Sequence, residues 1–543
     1  MAQQRILPFI NPATGQQFGS IAMSCEHEVQ TAVDDMRRAG QVWRKTTVAE
    51  RVRALKKLQK TIIHYLGEIT EVINLDTGKS RQDALIEVMI TVDKLHMYLK
   101  HAPEWLKRQR VPPGLYFFKR YYTEPVPYGV VAVLGPWNLP FDLCMPPVFS
   151  ALLAGNTVVL KPSEVAGATG LMMHKIFQSV PELSPYVRVV HGDGEVGAEL
   201  INAGPDLIFL TGSTATGRKV ARIAAETMTP FLCELGGKDP MIVLEDADIA
   251  AAAKWGVWGA FYLTGQTCMA IERCYVVSSV YERFLKVVLE ETKKLKTGYS
   301  ADLNSPYHFG PFTFARQRNI VEHQLNDALA KGAKIVAGAN RDGMFMEPTV
   351  IVNVDHSMLL MQEESFGPIL PVMKVRDEAE AVRLANDSQY GLSASVWSQN
   401  LARAARVAEQ LAVGSVNIND AISHYPVSLL PFGGQKGSGN ARTHGKGEVM
   451  QFTQSRSYAL GQPPMALDIA THMRIPGHYH LGAAIMKLAF GVTLKQKAEP
   501  IVEAVKRAKI ERPGKRLSAG AILAGMAAGI LFGIVRGRRN TDD

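Results

Sequence analysis

Cys268 ends the run Gly265-Gln266-Thr267-Cys268. A thiol acts as a nucleophile when a neighbouring base favours the thiolate, and its adduct needs a hydrogen-bond donor for the oxyanion. Glu234, in Glu234-Leu235-Gly236-Gly237, can be the base, and Asn138, in Gly135-Pro136-Trp137-Asn138, can be the donor. Spacing alone does not bring the three together. A lone cysteine is otherwise a small buried hydrophobe, the reading that Cys25, Cys144, Cys233 and Cys274 take. There is no CxxC pair and no HExxH, and His478 with His480 forms only an isolated HxH, so no metal is expected.

A second set of residues suits phosphates and ribose. Gly212-Ser213-Thr214-Ala215-Thr216-Gly217 follows the apolar run LIFLT, so a hydroxyl and free backbone N–H groups open a helix, which fits a pyrophosphate. Lys161 ends TVVLK and Glu164 follows, a cation and a carboxylate able to hold ribose hydroxyls. The literal GxGxxG at Gly192–Gly197 is read as a tight turn.

These residues need a scaffold. From Gly129, short apolar runs alternate with helical stretches: VVAVLG, NTVVLKP, YVRVVHG, LIFLTG and PMIVL. Such runs are typical of strands buried on both faces of a parallel sheet, and they predict a doubly wound α/β domain. A second α/β series is predicted from Ala250 to Asn440, with strands at RCYVVS, KIVAG, ILPVMKV, SASVW and GSVNIN. Arg51–Ile73 has helical apolar spacing and predicts one or two amphipathic helices. Val111–Pro127, rich in Tyr and Phe, predicts a β-hairpin arm.

The 543 residues exceed one compact core, and 47% hydrophobic with 20% charged residues excludes a collagen, a mainly disordered chain and a polytopic membrane protein. Five cysteines argue against a disulfide framework, and Met1–Ile10 shows no secretory signal, so the body is expected in a reducing compartment. The net charge of +9 is concentrated after residue 460, where 13 Lys+Arg face 6 Asp+Glu. Leu517–Val535 holds 19 residues without a charge, roughly 28 Å as a helix, flanked by basic clusters. This predicts a C-terminal transmembrane anchor with the body facing the cytoplasm, and a membrane rather than a nucleic acid as partner. Leu481–Leu494, apolar but for Lys487, is too short to span.

Taken together, the motifs resemble the aldehyde dehydrogenase superfamily: GPWNLP (135–140), KPSE (161–164), GSTATG (212–217), ELGGKDP (234–240), GQTC (265–268), EESFGP (363–368) and PFGGQKGSG (431–439). The resemblance implies an α/β fold with a Rossmann-type cofactor domain, an α/β catalytic domain and a β-arm for oligomerisation. It implies a cofactor domain at 1–108 and 128–236, a catalytic domain at 237–448 and an arm at 109–127 and 449–460. A basic extension at 461–516 and the anchor at 517–535 would follow. The implied activity is oxidation of an aldehyde to an acid with NAD, NADP use remaining open. Cys268 would be the nucleophile, Asn138 the oxyanion donor and Glu234 the base for thioester hydrolysis. Pro136, Trp137, Lys161, Ser163, Glu164, Gly212, Ser213, Gly217, Leu235, Gly236, Glu364 and Phe366 would hold the cofactor. Glu164 favours NAD, because a carboxylate repels a 2′-phosphate. NDAISHY (419–425) and THGKG (443–447) look like the class-3 or fatty-aldehyde branch, although INPATGQQFGSI (10–21) looks like the longer branches. A homodimer or homotetramer is implied. The substrate expected is a long-chain aliphatic aldehyde; an aromatic, terpenoid or apocarotenoid aldehyde is the alternative, and an inactive membrane-anchored scaffold is a third reading.

Overall fold

The computed structural model describes residues 5–114 and 119–461, with scattered positions between 483 and 502. By internal contacts it divides into two compact units. One comprises the chain up to Leu106 together with Val126–Gln454; the other comprises Lys107–Pro125 and the chain from Ser455 onward.

The larger unit holds both expected α/β series. Four of the five runs after Gly129, with Phe231–Glu234 as a fifth strand, form a parallel sheet in the order Val187–Val189, Thr157–Lys161, Val130–Leu134, Leu207–Thr211, Phe231–Glu234. Its side chains alternate between two cores. Val131, Val133, Val158, Leu160, Leu207 and Phe209 pack beneath the N-terminal helices. Val130, Ala132, Val159, Ile208 and Leu210 face the opposite layer. Burial on both faces is why these strands read as unbroken apolar runs.

The fifth run, PMIVL, does not belong to this sheet. Asp239–Val243 lies inside a seven-stranded sheet ordered Lys334–Ala337, Thr349–Val352, Ile369–Val375, Ile271–Val277, Asp239–Val243, Ser393–Trp397, Ser415–Ile418. The edge of the first sheet is formed by Phe231–Glu234, a four-residue strand that ends in a carboxylate and was not foreseen. Thr349–Val352 was also not foreseen. Every neighbouring pair in the larger sheet is parallel except Lys334–Ala337 with Thr349–Val352.

The Arg51–Ile73 pattern becomes two helices, Val48–His64 and Leu66–Thr77, meeting at Tyr65. Thr47 and Glu50 form a capping box that starts the first. The next helix, Arg81–Trp105, escaped the sequence reading. Its buried face mixes Glu87, Thr91 and Lys94 with Ala84, Val88, Leu95, Tyr98, Leu99 and Ala102, while Leu85, Ile86 and Met89 are exposed, so the contrast between its faces is weak.

In the smaller unit, Gln109–Val111 pairs antiparallel with Lys119–Pro127, the expected hairpin, and Thr453–Gly461 is the third strand. That strand starts at 453 rather than 449, because Gly445–Gln451 is helical. The anchor expected at 517–535 lies outside the described residues, as does half of 481–494. Among the described residues no helix is long and apolar enough to cross a membrane.

Candidate active site

A parallel sheet aligns the C-terminal ends of neighbouring strands, and the turns that leave them share one crevice. Here those turns are Gly135–Asn138, Lys161–Glu164, Gly212–Gly217 and Glu234–Gly236. Backbone bonds tie them together: Gly135 N–H donates to the Lys161 carbonyl at 3.0 Å, and Gly212 N–H to the Glu234 carbonyl at 3.1 Å. Ser213 caps the Thr214–Glu226 helix by accepting from Thr216 N–H at 3.2 Å. A Cβ on Gly217 would stand 2.7 Å from a Leu235 methyl, so glycine lets this helix lie close to the strand end. Lys161 Nζ is 3.7 Å from Glu164, whose side chain is 42% exposed and free to meet a ligand. The Ser163 hydroxyl accepts from Val165 N–H and serves as a turn cap.

The thiol sits in a constrained loop. Leu263, Thr264 and Gly265 have φ of 52°, 62° and 68°, three successive left-handed residues. Such backbone is strained for Leu and Thr and is held by its surroundings. Thr264 Oγ1 donates to the Gly310 carbonyl at 3.0 Å, and Gln266 Oε1 accepts from Thr313 N–H at 3.0 Å. Asn138 Nδ2 donates to the Gln266 carbonyl at 3.0 Å. The amide and the nucleophile loop are thereby joined, and the second amide hydrogen of Asn138 remains for another acceptor. Cys268 is half-buried. Burial, then the carboxylates of Glu234, Asp239 and Glu364, push its thiol well above the ordinary range.

Glu234 ends its strand buried at 2% exposure, with Oε1 lacking a hydrogen-bond partner among the described residues. Burial raises its pKa to about 8, Asp239 adds to the rise, and Lys94 opposes it. A buried orphan oxygen on a carboxyl that titrates near neutrality suits a proton acceptor for water. Glu364 accepts from Gly237 N–H at 3.0 Å, and a Cβ on Gly236 would fall 2.2 Å from its carboxylate. Burial raises Glu364 to about 8 as well. Phe366 follows at a φ of 52°. Its N–H and that of Ser365 both donate to Glu272, at 2.7 and 2.8 Å, and Glu272 is paired with buried Lys238 at 2.7 Å. The Trp137 ring meets Phe366 edge-on at 5.4 Å and Phe314 at 4.9 Å.

The structure thus brings Cys268, Asn138 and Glu234 to one end of the sheet crevice and lines the rest with the predicted cofactor positions. The glycine cradle at Gly217 and Gly236, the capped helix start and the exposed Glu164 fit a dinucleotide. The literal GxGxxG forms the start of the Gly194–Asn202 helix, capped by Asp193. Groups unforeseen from sequence surround the site. Lys94 pairs with Asp142 at 2.9 Å, and Tyr425 donates to the same carboxylate at 2.6 Å. Lys79 contacts both Glu87 and the Asn138 carbonyl. The i, i+4, i+7, i+11 spacing of Glu87, Thr91, Lys94 and Tyr98 is the signal that could have found the helix that carries them.

A cavity of about 560 Å³ opens beside the thiol. Its wall includes Leu139 and Met269, next in sequence to Asn138 and Cys268; Ile86, Ile90, Trp258, Phe261 and Ile422 make most of it apolar, and charged side chains including Asp83, Lys254, Glu291 and Lys294 also line it.

The sequence profile of the Aldehyde dehydrogenase family matches residues 1–458. Over 447 residues the chain is 43% identical to 4,4'-diapolycopene aldehyde oxidase of Methylomonas sp, covering 82% of this chain and 84% of that protein. Betaine aldehyde dehydrogenase of Staphylococcus aureus, solved with NAD+, superposes with a TM-score of 0.80 at 29% identity, over 85% of this chain and 93% of that one. NADP-dependent glyceraldehyde-3-phosphate dehydrogenase of Bacillus halodurans, solved with NADP, gives 0.80 at 31% identity, over 84% and 96%. The assignment to the class-3 or fatty-aldehyde branch gains no support from these relatives. The chain belongs to the aldehyde dehydrogenase family, and is an enzyme that oxidises an aldehyde with NAD or NADP.

Proposed function

We propose that the substrate is a long apolar aldehyde, and specifically an isoprenoid polyene aldehyde of the apocarotenoid kind. The apolar cavity ending at Leu139 and Met269 carries this reading, because its lining suits a hydrocarbon chain whose aldehyde carbon lies at Cys268. The 43% identity to a Methylomonas enzyme named for a carotenoid aldehyde favours the polyene over the saturated chain. A saturated long-chain aldehyde fits the same lining and is the second reading. The uncharged run 517–535 supports a membrane anchor with the body in the cytoplasm, where bilayer-dissolved substrates are concentrated.

In this reading the Cys268 thiol gives up its proton to solvent as its sulfur adds to the carbonyl carbon. The free amide hydrogen of Asn138 and the Cys268 backbone N–H take the developing oxyanion. When bound, the oxidised nicotinamide supplies the acceptor for the hydride that leaves the adduct carbon as the oxyanion collapses to the Cys268 thioester. Glu364 and Phe366, fixed by Glu272, orient the nicotinamide ribose, with Trp137 behind them. Lys161 and Glu164 hold the adenosine ribose, and Ser213 with the helix start holds the pyrophosphate. Glu234 then takes a proton from water as it attacks the thioester, which releases the acid and restores the thiol.

The test is NADH formation by detergent-solubilised full chain with aldehydes of two to eighteen carbons and with an apocarotenal, beside Cys268→Ala. A kcat/KM for the apocarotenal at least about tenfold above that for butanal, absent in the variant, is expected. A flat or inverted preference overturns the substrate assignment. A preference for saturated C14–C18 aldehydes over the polyene selects the second reading.

A further inference from the structure

We propose that Glu87 is the positioning residue of the oxyanion site, acting through Asn138. It sits on the Arg81–Trp105 helix at 1% exposure, and each carboxylate oxygen has a separate task. Oε1 accepts from the N–H groups of Phe141 and Asp142, at 2.8 and 3.1 Å. Oε2 accepts from Lys79 Nζ at 2.8 Å, and the same ammonium donates to the Asn138 carbonyl at 2.6 Å. Both ends of the Asn138–Asp142 turn are therefore held by one buried carboxylate, directly at the far end and through Lys79 at the near end.

The clamp has a mechanical purpose. The turn leaves the Val130–Leu134 strand with no regular structure until the Met145–Ala154 helix, apart from short turns, so its own backbone ladder does not fix it. Asn138 must nevertheless offer one amide hydrogen at a set point while the other stays on the Gln266 carbonyl. An oxyanion donor works only if it is aimed before charge develops, and a shift of about 1 Å costs roughly 10²-fold in rate. Buried pairs of this kind are weak stabilisers but hold geometry well, and Lys79–Glu87 keeps the clamp neutral overall. The same helix also carries Thr91 and Lys94, which hold the Asp142 side chain at 2.9 Å each, so a rigid rod spans the turn.

The inference rests on the oxyanion role given to Asn138, and a double-mutant cycle separates the two. NADH formation from hexanal is measured for the full chain, Glu87→Gln, Asn138→Ala and the double variant. NADH binding and near-UV circular dichroism report on folding. Glu87→Gln is expected to lower kcat about 10²-fold, with NADH binding unchanged. The double variant is expected within about twofold of Asn138→Ala alone, because a mispositioned donor has nothing further to lose once removed. Losses that multiply in the double variant, or an undiminished kcat in Glu87→Gln, overturn the positioning role and leave Asn138 standing. An undiminished kcat in Asn138→Ala overturns both. If Glu87→Gln does not fold, the pair Lys79→Met/Glu87→Met replaces the ion pair with apolar isosteres and enters the same cycle with the same criteria.

Discussion

Glu234 is where residue chemistry is most exposed to test. Its carboxyl must be ionised to accept a proton, and burial with Asp239 holds it at about 8. The turnover limited by hydrolysis should rise with pH through about 8 and level off above it, as a pH profile of kcat will show. Glu234→Gln should release one equivalent of NADH in a burst and then lose at least about 10²-fold in steady-state kcat. Intact-protein mass would then find the acyl group on Cys268. The same raised pKa has a consequence for stability. Between about 4.5 and about 8 the unfolded carboxyl is ionised while the folded one keeps its proton, so the folded state binds more protons and stability falls as pH rises. Glu234→Gln should therefore raise the thermal midpoint at pH 9, on the order of 1–2 °C, and leave it unchanged at pH 4, where the acid is already neutral. Equal midpoints at pH 9 would refute the buried-acid account.

Elements hold these residues by close approach and by buried charge. Gly265 combines a φ of 68° with a Cβ position 2.2 Å from the Gly367 carbonyl oxygen. No side chain fits there, and the clash is with backbone. Gly265→Ala should displace the nucleophile loop and remove aldehyde oxidation while NADH binding persists, measurable by nucleotide fluorescence. The Glu272–Lys238 pair anchors the 364–366 turn from within the core. Lys238→Met leaves Glu272 buried and unpaired and should destabilise the chain by about 3–5 kcal/mol. Lys238→Met with Glu272→Leu should recover much of that loss in denaturant unfolding, while the cofactor KM stays raised, because the Ser365 and Phe366 N–H groups have lost their acceptor.

For the molecule as a whole, specificity and location are separable. Met269 forms part of the cavity wall beside the thiol. Met269→Trp should lower kcat/KM for a long aldehyde at least about tenfold and spare acetaldehyde, because only the longer chain needs the filled volume. In membrane fractionation, a chain stopped before Gly461 should leave the pellet for the supernatant and keep its oxidation of hexanal, if the 517–535 run is the address and the larger unit the enzyme.

The motifs at 135–140, 161–164, 212–217, 234–240, 265–268, 363–368 and 431–439 were legible because each is a turn whose glycine, hydroxyl or carboxylate chemistry is local. The strands were legible because burial on both faces leaves continuous apolar runs. PMIVL reads as one more run of the first series although the motif-based bounds put it in the second, since hydropathy marks a buried strand and carries no record of its neighbours. The Arg81–Trp105 helix was missed because charged Glu87 and Lys94 lie on its buried face and apolar Leu85, Ile86 and Met89 on its exposed one, which blurs the apolar period. Chain order determined what chemistry is present. Tertiary structure alone decided that Asn138 is bonded to the Cys268 loop at Gln266, that Glu234 is close enough to act on the Cys268 thiol electrostatically, that burial raises Glu234 to about 8, and that Glu87 and Lys79 grip the Asn138–Asp142 turn. Those facts depend on distances and desolvation between segments far apart in sequence, which no spacing encodes.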